Sequence, residues 1–132
     1  MKLVINVFFL FFISFSCFAN ECTREQAISA EQTVLTISNW NQLHEHYSRY
    51  SICDDGAIAE GYSEVVSILV SEQWNDLKTA KLDIQFERFI LRHINMTWSD
   101  DKINVAFAHA SNQCSEDIKN ICEAIMTLRK NA

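Results

Sequence analysis

Cysteine is the residue type here whose chemistry is most constrained by number and place: Cys17, Cys22, Cys53, Cys114 and Cys122. Cys17 lies near the end of an apolar leader and is expected to leave with it. Four then remain, an even number, which in an exported chain reads as two disulfides made in an oxidising compartment. Four cysteines allow three pairings. Cys22–Cys53 with Cys114–Cys122 joins near neighbours in sequence and is the pairing we expect, with the other two open. Oxidised thiols are not nucleophiles, and the four lack the paired C-x-x-C spacing of a zinc site.

Carboxylates come next. Asp54 and Asp55 follow Cys53 directly, and Glu60 and Glu64 stand four residues apart just beyond. On a helix the Glu pair would share a face and repel slightly. One reading caps a helix with Asp54 or Asp55 and leaves the Glu pair in solvent. A second pairs it with Arg88 and Arg92, also four apart. A third makes the group a docking surface for a basic partner, or a weak cation site. The twelve-residue ligand spacing of an EF-hand is absent.

His44 and His46 point to different sides of a helix and make no i, i+4 metal pair. His93 falls on an apolar stripe and reads as a hydrogen-bonded core residue. Trp40, Trp74 and Trp98 each sit at an inferred helix end, where such rings close a core. Aromatics also anchor protein interfaces, so Tyr50 and Trp74 are candidate apolar anchors beside the carboxylates. No serine has a G-x-S-x-G context. Asn95-Met96-Thr97 matches a glycosylation acceptor, relevant only in a eukaryotic secretory pathway. No catalytic residue, cofactor or metal site is expected, and no enzyme.

The elements that must position these groups are helical. The chain has no Pro and two Gly, Gly56 and Gly61, too little punctuation for an all-β fold. Six helices are predicted: about Thr23 to Ile37, Trp40 to Tyr50, Ala57 to Gln73, Lys81 to Ile94, a fifth capped by Thr97 and ending near Asn112, and a sixth from about Ser115. Apolar stripes at helical spacing support them, such as Ile58, Tyr62, Val65, Val66 and Leu69 in the third. Gly61, mid-helix, costs about 1 kcal/mol against Ala unless a neighbouring helix approaches closely there. The expected fold is all-α, a compact bundle of five or six helices stapled by two disulfides.

Residues 1–19 read as a signal peptide: Lys2, an almost unbroken apolar run from Leu3 to Ile13, and small residues Cys17 and Ala19 at −3 and −1. A lipid-anchored Cys17 would want a Leu-like residue where Ser14 stands. Six of the nine Phe lie in this leader. Its removal from 132 residues leaves 113, residues 20–132, with 10 Lys+Arg against 17 Asp+Glu and a charge of −7. That length holds a single domain and excludes a multidomain enzyme. The acidic balance argues against nucleic acid, and no second apolar run could span a membrane. The chain is expected in the periplasm or secreted.

A short, exported, acidic, all-helical chain with two disulfides resembles the small periplasmic immunity proteins that neutralise type VI secretion amidase effectors. The stretch Cys53-Asp54-Asp55-Gly56-Ala57-Ile58-Ala59-Glu60-Gly61-Tyr62 looks like their middle helix, Gly- and Tyr-containing, after a cysteine loop. The resemblance implies tight binding to a cell-wall amidase and blockage of its active site. It transfers no individual contact residue. From the residues themselves, Asp54, Asp55, Glu60 and Glu64 are the expected docking face. The alternative is a helical carrier of a small apolar ligand, similar in class to the odorant-binding proteins. Those carry two cysteines three residues apart where Cys53 here stands alone.

Overall fold

The computed structural model describes residues 21–132 apart from Lys81. The leader predicted at 1–19 lies outside the described residues. Caps set where the helices begin. Thr23 opens α1 (Arg24–Val34) with a reciprocal capping box to Gln26. Asn39 caps α2 (Trp40–Tyr50) by accepting from the Gln42 amide. A single 3₁₀ turn, Ser51–Cys53, leads to Asp55, which caps α3 (Gly56–Glu72). After α4 (Trp74–Leu77), one turn long, Asp83 caps α5 (Ile84–Arg92) through two amides. Ser99 caps α6 (Asp100–Gln113), and a 3₁₀ turn at Glu116–Ile118 enters α7 (Lys119–Asn131). No strand occurs among the described residues, so the fold is the expected helical bundle, six principal helices and one extra turn.

Several boundaries differ from expectation, α5 starting three residues late behind its Asp83 cap and α7 four residues late behind a 3₁₀ turn, and three more have a local reason. α1 stops at Val34, where Thr36 turns its hydroxyl back onto the Thr33 carbonyl at 2.7 Å. The predicted cap Thr97 instead has its amide and hydroxyl on Asn95 Oδ1, at 3.0 and 2.6 Å, and Ser99 takes the cap. Trp74-Asn75-Asp76, read as a helix end, winds a further turn that buries Trp74 and Leu77.

α3 is the axis of the bundle, with nine buried residues along it. α1 and α6 pack on it, α6 and α7 form a hairpin, and α5 packs on α7. At the α1–α3 crossing a Cβ on Gly61 would lie 2.6 Å from Val34 Cγ1. That is the close approach for which a mid-helix glycine was expected. The core centre is aromatic. Tyr62 meets Phe89 edge-on at 4.8 Å between centroids, and Tyr47 lies 4.8 Å from Phe89 and 5.2 Å from Phe86. Disulfides join Cys22 to Cys53 and Cys114 to Cys122, with Cα–Cα distances of 5.0 and 6.2 Å. This is the expected pairing. The first ties the entry of α1 to the loop before α3, and the second closes the α6–α7 turn.

Candidate functional site

The loop between α2 and α3 is held at both sides. Cys53 is buried in its disulfide, and Asp55 accepts from the Gly56 amide at 2.8 Å. Gly56 takes φ +51°, which a side-chain-bearing residue rarely adopts. This geometry turns Asp54 inward and Asp55 outward.

Asp54 Oδ2 accepts from Arg92 Nη2 at 3.2 Å and from His93 Nε2 at 3.1 Å. Its side chain is 10% exposed, that of His93 5%, and that of Arg92 60%. Burial pushes the Asp54 carboxyl up, but the hydrogen bonds and charges of His93 and then Arg92 outweigh it. The net result lies below the ordinary value of 3.8. Asp54 Oδ1 is buried without a partner in the protein. On the other side of the ring, His93 Nδ1 lies 3.1 Å from Ser63 Oγ. Ser63 Oγ also accepts from Asn95 Nδ2 at 3.0 Å and donates to the Ala59 carbonyl at 3.1 Å.

Asp54, His93 and Ser63 thus stand in the order of a hydrolytic triad, yet the arrangement is not one that attacks a substrate. Ser63 sits within α3, 4% exposed, with its hydroxyl engaged on three sides. A nucleophile needs an open face and an oxyanion site beside it. The cluster is an interior brace joining the α2–α3 loop, α3 and α5. Asn95, the sequence-level glycosylation candidate, has its amide nitrogen inside this brace.

A second relay, running inward from the exposed Thr33, joins α1, α2 and α3. Thr33 donates to the Ser29 carbonyl at 2.7 Å, which leaves His46 Nε2 to donate to Thr33 Oγ1 at 2.9 Å. Tyr62 then donates to His46 Nδ1 at 2.7 Å. These bonds assign the neutral Nε2–H tautomer. Burial, and then the Arg49 charge, hold the His46 pKa below the usual histidine range. Burial likewise pushes the Tyr62 hydroxyl up. His46 was missed as a core residue. The signal was present, since it lies three residues after Leu43 and four before Tyr50 on one stripe.

The expected docking residues separate into two groups. Asp55, Glu60 and Glu64 are exposed, and none makes an ion pair among the described residues. Tyr50 is half-buried, its hydroxyl 2.7 Å from Ser29 Oγ. Asp54 does not belong with them, because its carboxylate is turned inward onto Arg92 and His93. The reading in which Arg88 and Arg92 neutralise the Glu pair is likewise corrected: Arg92 serves Asp54. Trp74 is 2% exposed, donates to the Gln113 carbonyl at 3.3 Å and stacks on His109. It is a core residue and cannot anchor a partner.

Among the described residues no group of three or more His, Cys, Asp or Glu could hold a metal ion. No described helix is long and apolar enough to cross a membrane. An open groove of about 520 Å³, lined partly by Ile94, Met96 and Leu128, runs along the outside of α7. No protein family model, curated protein or solved structure matches this chain.

Proposed function

We propose that this is an exported protein-binding module, an immunity or inhibitor protein of the periplasm that binds a cell-wall amidase effector and blocks its active site. One observation carries the reading. His46, Tyr62, Ser63, His93 and one Asp54 oxygen are engaged with one another inside the protein, while Asp55, Glu60 and Glu64 stand in solvent on a disulfide-held frame with no ion-pair partner among the described residues. Carboxylates fixed in this way lose little entropy when a basic surface meets them. The carrier alternative asks for an apolar cavity inside the bundle. Its centre is filled by Tyr62, Phe86 and Phe89, exposed by 0%, 1% and 0%. The amidase as partner rests on the family resemblance alone.

Mature protein added to purified cell-wall amidases of its own bacterium should stop one of them at an equimolar ratio. Association should slow as salt rises. Unimpeded hydrolysis of peptidoglycan by all of them overturns the immunity reading. Within a complex, Glu60→Lys with Glu64→Lys should weaken binding about tenfold or more, mostly by lowering the on-rate. The melting temperature should stay nearly unchanged, because both side chains are solvated. A large fall in melting temperature with an unaltered on-rate would make the pair structural.

A further inference from the structure

The seam between α1 and α3 has two flanks, and the hydrogen bonds say which is covered. Val34 against Gly61 marks the line of contact. On one flank α1 presents Ser29 and Thr33 to α2, through Tyr50 and His46. α3 presents Tyr62 to the same His46, so α2 covers that flank. At about 100° per residue, Ile28, Glu31 and Leu35 fall on the opposite flank of α1 from Thr33. By the same rotation Glu60 and Glu64 fall on the opposite flank of α3 from Tyr62. These five residues therefore share the flank of the seam away from α2, next to α6, which packs on α3 further along and meets Ser71 through His109, and all five are exposed. Ile28 is 46% exposed and Leu35 67%. Glu31, like Glu60 and Glu64, makes no ion pair among the described residues.

We infer that this flank is a docking groove for a basic amphipathic helix of a partner protein, with Ile28 and Leu35 as aliphatic anchors and Glu31, Glu60 and Glu64 as its charged rim. The inference rests on the protein-binding reading and supplies the apolar anchor that Trp74, being buried, cannot. A seam between two packed helices accepts the ridge of a third. Ile28 and Leu35 are seven residues apart, the repeat at which a helix lying along the seam presents its own apolar stripe. The carboxylates on both helices call for Lys or Arg flanking that stripe, and they disfavour an acidic helix by like-charge repulsion. A buried aliphatic anchor adds the apolar area that charge alone does not provide.

The probe is a synthetic helix about five turns long, with Leu on one stripe and Lys elsewhere, compared with a peptide of identical composition and scrambled order. Added to isotopically labelled mature protein, the amphipathic peptide should give saturable amide shifts at Ile28, Glu31, Leu35, Glu60 and Glu64. The scrambled peptide should bind at least tenfold more weakly. Leu35→Asp should cost a similar factor while leaving the melting temperature unchanged. Equal binding of both peptides, or shifts centred on another face, overturns the groove. With the native partner in hand, Leu35→Asp without effect beside a damaging Glu60→Lys overturns the groove but leaves the protein-binding reading standing. Peptide binding as expected with every amidase unaffected supports the groove and overturns the immunity role.

Discussion

At the scale of the residue, Asp54 shows how a carboxylate read as a surface charge becomes an interior one. One of its oxygens serves both Arg92 and His93, and the His93 ring continues the chain of bonds to Ser63. Arg92 is largely exposed and returns to solvent, so the loss falls on the buried contact with His93, and Asp54→Asn should cost about 1–3 kcal/mol. Urea titration measures it; a loss below about 0.5 kcal/mol would mean that the brace carries no strength. The sign of the pH effect follows from the lowered carboxyl pKa in the folded state. The unfolded chain holds the proton more tightly, so this stability is complete above the ordinary Asp value. It is lost as pH falls from there through the folded value. The Asn variant should lack that part of the acid-unfolding profile. None of this was legible locally, because His93 lies 39 residues from Asp54. Asp54-Asp55 looks like a pair of equals, and the φ of Gly56 and the Asp55 cap decide which one turns in.

The helices themselves were largely written in the local pattern. Thr23, the Asp54–Asp55 pair before Gly56 and the apolar stripes mark α1, α2 and α3 well, because caps and amphipathicity act within a few residues. α4 and the start of α6 were not legible. A single turn has no periodicity to read, and Thr97 loses its cap role to a competing bond with Asn95. Gly61 belongs to this scale too, since its cost to α3 offsets a distance between two helices. Gly61→Ala would gain about 1 kcal/mol of helix propensity. Its new methyl meets Val34 at 2.6 Å, however, and overpacking of that kind costs about 1–3 kcal/mol. We expect net destabilisation, relieved when Val34→Ala is added. Thermal denaturation of the four species of the cycle measures the coupling. Additive losses would place the clash elsewhere.

For the whole molecule, the two disulfides differ in what they close. Cys22–Cys53 spans 31 residues and Cys114–Cys122 spans 8. Loop-closure entropy then favours the first by about 1 kcal/mol, with each bridge contributing about 2–4 kcal/mol. The Ser variant of the first pair should melt below that of the second, as calorimetry would show; the reverse order would point to a native-state contribution from the α6–α7 turn. On the export reading the mature chain is expected to begin near Asn20, and intact-mass measurement of material from outside the cytoplasm tests it. A retained leader or a lipid on Cys17 would contradict it. Fold class and the number of disulfides could be read from cysteine parity and the scarcity of Gly and Pro, whereas the pairing was one of three that parity allows, favoured only by nearness in sequence. The docking face could be read only in part, since which flank of a seam stays uncovered depends on how three helices meet.

The Cys22–Cys53 bridge also fixes how the molecule responds to tension. A pull on the chain near residue 21 does not reach α1 or α2, because the load passes through the sulfur pair into the root of α3, the helix most deeply embedded in the core. The residues between the two cysteines are taken out of the extensible length. At about 3.4 Å per residue, the 31-residue separation hides roughly 100 Å of chain that an oxidised molecule cannot pay out. An oxidised molecule held by its two ends should therefore yield abruptly, when α3 leaves the core, and extend by that much less than one in which this bridge alone is removed. α1 and α2, both inside the bridged loop, are thereby spared any load arriving from the N-terminal side until α3 itself gives way.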